Sequence, residues 1–254
     1  KIGGTGVVGT LREGNGNTAI GLRADMDALP IQEDSGVPHA SQIAGKMHAC
    51  GHDGHTAMLL GAAKYLSETR NFDGTVVVIF QPAEEHGQGA LSMIDDGLFD
   101  KFPADAIYAL HNMPSLPTGH FAVRPGPIMA CEDNFEITIT GKGAHAAMPH
   151  MGIDPIVVAS EIILALQTVV ARTLNPMDHG VVSVTEFITD GATNILPNQV
   201  ILKGDTRSFT PDMQDHIECK MAQIVKGISD AHGATSDFKY TRVFAATIST
   251  KDEA

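Results

Sequence analysis

The rhythm of apolar and polar positions changes near residue 130 of this chain. Upstream, short apolar runs alternate with stretches of helical spacing. TAIGLRA (18–24) predicts a strand that ends at DMDALP, after a Gly-rich opening that reads as a loop. GHTAMLLGAAKYLSET (54–69) gathers its apolar residues at helical intervals. GTVVVIF (74–80) is a continuous, β-branched run, the mark of a strand covered on both faces, and it stops at QPAEE. GQGALSMIDDGLF (87–99) predicts the next helix, and DAIYALHN (105–112) another buried strand. This β–α–β–α–β order predicts an α/β fold with a three-layer, mostly parallel sheet.

Downstream of PGPIMA (125–130) the pattern is different. DNFEITITGKG (133–143) alternates apolar and polar residues, so one face should be solvated or lightly covered. A long helix (about 153–173), strands at 180–188 and 199–209, a helix from the Thr210-Pro211-Asp212 signal to about 231, and a closing strand at 234–243 follow. The order β-α-β-β-α-β is that of a ferredoxin-like α+β unit. The expected division is a catalytic, metal-binding domain over 1–127, an inserted lid and dimerisation domain over 128–241, and a return to the first domain over 242–254.

Composition narrows the function classes. A chain of 254 residues with 43% hydrophobic content fits one or two soluble globular domains. The net charge of −13 argues against nucleic acid and anionic membrane surfaces as partners, because a phosphate-binding face needs clustered Lys and Arg. The longest apolar stretch, 156–170, is short for a bilayer and carries Glu161 and Gln167, so a buried helix is expected. Cys50, Cys131 and Cys219 make no disulfide framework, which favours a reducing, cytoplasmic location. Cys131 and Cys219 read as small apolar packers.

The candidate chemistry lies where strands end. In parallel α/β sheets ligands bind beyond the carboxyl ends of the strands. One predicted strand ends at Asp25 and Asp27, one at Glu84 and Glu85, and one at His111; MHACGHDGH (47–55) precedes a helix on the same edge. Thiolate, imidazole and carboxylate are the usual ligands of zinc and neighbouring divalent ions. Cys50 and His52 can point one way, and one of the two glutamates with His111 would complete four protein ligands. A mixed, oxygen-containing set favours a catalytic site, with room for two metals about 3.5–4 Å apart. Of the adjacent glutamates, one can ligate while the other takes a proton from water. The blander readings are a polar helix start for 47–55, a solvated loop for Glu84–Glu85 and a hydrogen-bonded strand end for His111. Their convergence weighs against all three. His48 and His55 stay undecided, and His39, His86, His120, His179, His216 and His232 read as surface or structural groups.

LRADMDALPIQE (22–33), MHACGHDGHTAML (47–59), FQPAEEHGQGA (80–90), ALHNMP (109–114), GKGAHAAMPHMGIDPI (141–156), GATNILPNQV (191–200) and GDTRSF (204–209) occur in this order. Together they resemble the metal-dependent amidohydrolases that include hippurate hydrolase, bacterial N-acyl-L-amino-acid amidohydrolases and plant auxin-conjugate hydrolases. The resemblance implies a two-metal centre, zinc first and manganese, cobalt or nickel next, held by Cys50, His52, Glu85 and His111. It makes Glu84 the general acid/base and Asp27 the aspartate that orients the centre. More distant relatives carry a metal-binding histidine where this chain has Asp25. His145 matches an oxyanion-stabilising histidine that often serves a dimer partner's site. Asn194 and Arg207 match groups that hold the substrate's α-carboxylate, a task suited to the planar fork of arginine. The implied reaction is hydrolysis of N-acyl-L-amino acids by a homodimer. The rivals are dipeptidase or carboxypeptidase activity at the same centre and a binding protein without turnover. Family members are longer at both ends and carry a last metal-ligand histidine near the C-terminus, which has no counterpart after residue 232, so a fragment is the expectation.

Overall fold

The computed structural model describes residues 1–251. They form two compact units, Lys1–Phe121 and Ala122 onward. The first unit contains, in order, β1 (Val7–Glu13), β2 (Ala19–Asp25), α1 (His52–Thr69), β3 (Gly74–Gln81), α2 (Gly89–Asp95), α3 (Leu98–Lys101) and β4 (Ala106–Ala109). Its sheet has the order β1-β3-β2-β4. β2 runs parallel to both β3 and β4, and β1 runs antiparallel to β3.

The β-branched run of β3 explains the layering. Val76, Val78 and Phe80 point to one side and pack with Ala24 of β2 and Leu59 of α1. Val77 and Ile79 point to the other and pack with Ile2, Met93 of α2 and Leu98 of α3. A strand with two apolar faces has to be covered twice, which gives the three-layer arrangement.

Three details depart from the expected pattern. The Gly-rich opening is not all loop, because VVGTLRE forms β1 against β3 and makes the sheet mixed. The helix expected over 87–99 is broken at Gly97, whose φ of 78° ends α2 and starts α3. The strand expected to be buried at 105–112 is the short β4, which has β2 as its one neighbour among the described residues and leaves Ile107 and Tyr108 each 42% exposed.

The second unit contains β5 (Gly126–Met129), β6 (Cys131–Thr140), β7 (Ala144–His145), α4 (Pro155–Thr168), β8 (Val181–Thr189), β9 (Ile195–Leu196), β10 (Gln199–Ser208), α5 (Pro211–His232), β11 (Thr235–Phe244) and β12 (Thr247–Ser249). β12 pairs with β5, so this end of the chain is grouped with the second unit. The main sheet is antiparallel in the order β11-β6-β10-β8, the strand order of a ferredoxin-like unit. Along β6 burial alternates: Phe135, Ile137 and Ile139 face the helices while Asn134, Glu136 and Thr138 face away. Asp154 caps α4 by accepting from the Ile156 N–H, and Thr210 caps α5 by accepting from the Met213 N–H, each followed by proline at the first helical position.

By length and composition Pro155–Thr173 is apolar enough to cross a membrane. In this fold Val158, Ala159, Ile162, Leu166 and Val169 of that stretch lie in the core of the second unit. Asp133 is buried in the same unit, where Gln214 Nε2 donates to it at 2.7 Å and the Tyr240 hydroxyl at 2.8 Å.

Candidate metal centre

The polar residues of the first unit collect at the carboxyl ends of the parallel strands β2, β3 and β4. Local backbone sets each one. Gly51, at φ 85°, turns the chain between Cys50 and the start of α1 at His52. After β3 the chain makes a tight turn: Ala83 adopts φ 48°, and the Gly89 N–H donates to its carbonyl at 3.0 Å. A Cβ on Gly89 would lie 1.5 Å from the Pro82 carbonyl oxygen, so glycine is required there. Glu84 and Glu85 ride on this turn. A non-glycine residue held at positive φ costs about 1–3 kcal/mol and tends to accompany functional loops.

Cys50 Sγ and His111 Nε2 are 3.5 Å apart. The other His111 nitrogen, Nδ1, lies 2.8 Å from the Asn112 carbonyl, to which it donates, so Nε2 keeps its lone pair. His52 is 1% exposed, with Nε2 3.7 Å from Glu85 Oε1 and 4.0 Å from Glu84 Oε2. Its Nδ1 is 3.3 Å from Asp27 Oδ1, and Asp27 Oδ2 accepts the Glu85 N–H at 3.1 Å. Both ring nitrogens of His52, Asp27 Oδ1 and Glu85 Oε1 are buried and have no hydrogen-bond partner. Buried polar atoms without partners are rare, because each carries a desolvation cost of about 1–3 kcal/mol. Ligand atoms each about 2.0–2.3 Å from one tetrahedral cation lie somewhat over 3 Å apart, as do Cys50 Sγ and His111 Nε2 at 3.5 Å and His52 Nε2 and Glu85 Oε1 at 3.7 Å. The donor set therefore fits a divalent ion. Cys50, His52 and His111 form one such group, and His52, Glu84 and Glu85 another.

The electrostatics fit as well. Burial, then the charges of Glu85, Glu84 and Asp25, push the Cys50 thiol up to about 11. A thiol in so acidic a nest becomes a thiolate when a cation is its neighbour. Burial raises the Glu84 carboxyl, and the Glu85 and Asp25 charges add to this against the pull of Arg23, leaving it above the ordinary range. Burial also pushes Asp27 upward, but the Glu84 and Glu85 N–H groups and His52 outweigh it and hold this carboxylate below the ordinary range. For Asp25 the same competition is won by the His55 hydrogen bond and the positive charge of Arg23, so it too is lowered.

A family model for peptidase family M20/M25/M40 matches residues 21–246. The chain belongs to this family. Among M20/M25/M40 relatives, the hippurate hydrolase of Campylobacter jejuni is 45% identical over 232 residues, which is 91% of this chain and 60% of that protein. The N-acyl-L-amino acid amidohydrolase of Geobacillus stearothermophilus is 43% identical over 87% of this chain and 60% of its own length. A Bacillus subtilis protein, YXEP, whose crystal structure is described as that of a dinuclear metal binding peptidase of the M20 family, matches with a TM-score of 0.78. It is 37% identical over 97% of this chain and 63% of that one. The chain thus spans about 60% of the length of these relatives.

In the second unit, the structure brings two of the three expected M20/M25/M40 site residues together. β7 pairs with β9, setting His145 opposite Ile195, and the Ala146 N–H donates to the Asn194 carbonyl at 3.0 Å. The Ala147 N–H donates to His145 Nδ1 at 3.1 Å, which leaves the ring proton of this exposed residue on Nε2. Arg207 lies elsewhere, on β10, and its fork is engaged by Glu132 and Asp205, each at 2.7 Å. In the first unit, sequence reasoning left His55 undecided. The structure buries it between Asp25 and Asn112, a role signalled only by its position one helical turn after His52.

Proposed function

We propose that the whole protein hydrolyses the amide bond of N-acyl-L-amino acids, hippurate-like conjugates among them. The observation that carries this reading is the pair of donor groups that share His52, Cys50–His52–His111 and His52–Glu84–Glu85, with the Glu84 carboxyl raised above its ordinary range. Cys50, His52, Glu85 and His111 would hold two divalent metals, zinc foremost and manganese, cobalt or nickel as alternatives, with Asp27 orienting His52. When bound, such metals supply Lewis acidity to the amide carbonyl and to a water molecule. Glu84 takes a proton from that water as its oxygen attacks the carbonyl carbon. The C–N bond then breaks, and Glu84 returns the proton to the leaving nitrogen. A carboxylate whose affinity for protons is raised suits both transfers. The Nε2–H of the exposed His145 is the proposed donor to the oxyanion. Asn194 and Arg207 are the proposed partners of the substrate's carboxylate, which must compete with Glu132 and Asp205 for the arginine.

The same reading divides the molecule into a catalytic domain (1–127), a lid and dimerisation domain (128–241) and a returning segment (242–254), whose last three residues lie outside the described ones. It makes the protein a cytoplasmic homodimer joined through the second domain.

Glu84→Gln in the full-length protein tests the central step. Turnover of N-benzoyl- and N-acetyl-amino acids should fall about 10²–10⁴-fold with bound metal unchanged. Activity within tenfold of wild type, with metal retained, refutes the assignment. Faster turnover of dipeptides than of N-acyl amino acids would move the protein to the dipeptidase reading.

A further inference from the structure

Asp25, His52 and His55 lie close enough, and buried enough, to look like a third cation site. The hydrogen bonding says otherwise. His55, 2% exposed, has no free nitrogen: Nδ1 is 2.6 Å from Asp25 Oδ1, and Nε2 accepts the Asn112 N–H at 2.9 Å, with Asn112 Oδ1 packed against it at the same distance. Asp25 is engaged at both oxygens, its Oδ1 by His55 and its Oδ2 by Arg23 Nη1 at 2.8 Å. The network fixes Asn112 from both ends of its peptide: His55 holds its N–H, and His111 donates to its carbonyl. Asn112 also rests on Gly51, where an added Cβ would lie 2.4 Å from its Oδ1. Gly51 separates Cys50 from His52. One assembly, buried at Asp25 and His55, therefore touches the end of β2, the start of α1 and the residue after His111.

We propose that Asp25, His55 and Asn112 form a clamp that presets the spacing of Cys50, His52 and His111, and that His55 is a positioning residue rather than a metal ligand. This rests on the reading of Cys50, His52, Glu85 and His111 as the ligands. The expected effect is on metal affinity, because partners that orient ligands typically contribute 10–100-fold to it.

The test is titration of the metal-free, full-length protein with cobalt(II) chloride, following the cobalt–thiolate absorption, the number of ions bound and the dissociation constant. Wild type should show the thiolate band, and His111→Ala should lose it or shift it. Without that band in wild type, the ligand reading itself fails, and the clamp with it. Given the band, His55→Ala should bind cobalt 10–100-fold more weakly at unchanged stoichiometry. His55→Gln, which offers an oxygen to the Asn112 N–H, should recover most of the loss. Asp25→Asn, which keeps an acceptor for the ring N–H, should stay within tenfold of wild type and also serves if His55→Ala does not fold. A His55→Ala affinity within threefold of wild type overturns the clamp. Loss of one bound ion in His55→Ala or Asp25→Asn overturns it too, by making that residue a ligand.

Discussion

Two glycines three residues apart should respond oppositely to the same substitution. Gly51 sits at φ 85°, and a Cβ there would be 2.4 Å from the Asn112 amide oxygen. Gly51→Ala carries about 1–2 kcal/mol for the left-handed backbone. Displacing Asn112 also breaks its N–H bond to His55, worth about 1 kcal/mol. The sum is about 2–3 kcal/mol. Gly54 lies within α1 and is exposed, and a Cβ added there would meet no atom within 4 Å. There Gly→Ala should stabilise by about 0.5–1 kcal/mol through lower unfolded-chain entropy. Urea unfolding of the metal-free full-length protein measures both. With a slope of about 2 kcal/mol per molar, the midpoint should drop by roughly 1 M for Gly51→Ala and rise slightly for Gly54→Ala. If the two variants shift in the same direction, or Gly51→Ala unfolds at the wild-type midpoint, the account of this turn is wrong.

Leu166 is wholly buried between the helices and sheet of the second unit, so Leu166→Ala should lower stability by about 2–5 kcal/mol in the same unfolding assay. Burial, opposed by the Thr206 hydrogen bond but reinforced by Asp133, pushes the Tyr240 hydroxyl far above its ordinary value. A group raised on folding stabilises below its unfolded value and loses that contribution as pH rises. Thermal stability should therefore fall above pH of about 10, and Tyr240→Phe should flatten that fall. Chelation of the purified full-length protein should lower its melting temperature, and added zinc should restore it in a concentration-dependent way, since a ligand of the native state stabilises by mass action. An unchanged melting temperature on full metal removal would count against the donor set.

Local signals were sufficient where an element's own residues decide its fate. The β-branched run of β3 demands cover on both sides whatever the neighbours, and the Asp154-Pro155 and Thr210-Pro211 pairs start helices by their own hydrogen bonding. The candidate ligand types were legible for the same reason, since thiolate, imidazole and paired carboxylates at strand ends have few other uses. What escaped depends on distant partners. β1 is a strand because β3, more than sixty positions later, offers it a register; its glycine-flanked residues carry no such information alone. β4 looked buried because its residues are apolar, yet exposure is decided by how many strands flank it. His55 gains its role from Asn112, 57 positions away, and the pairing of Arg207 with Glu132 exists only because β10 lies beside β6.

The alternation along β6 has an evolutionary consequence. Phe135, Ile137 and Ile139 are held by packing, while Asn134, Glu136 and Thr138 on the opposite face bury nothing the helices need. Asn134, Glu136 and Thr138 can be rewritten at little thermodynamic penalty, whereas Glu132, on the same face, is tied to Arg207. The outward face of the second unit is thus free to diverge in charge and shape while its fold is inherited intact.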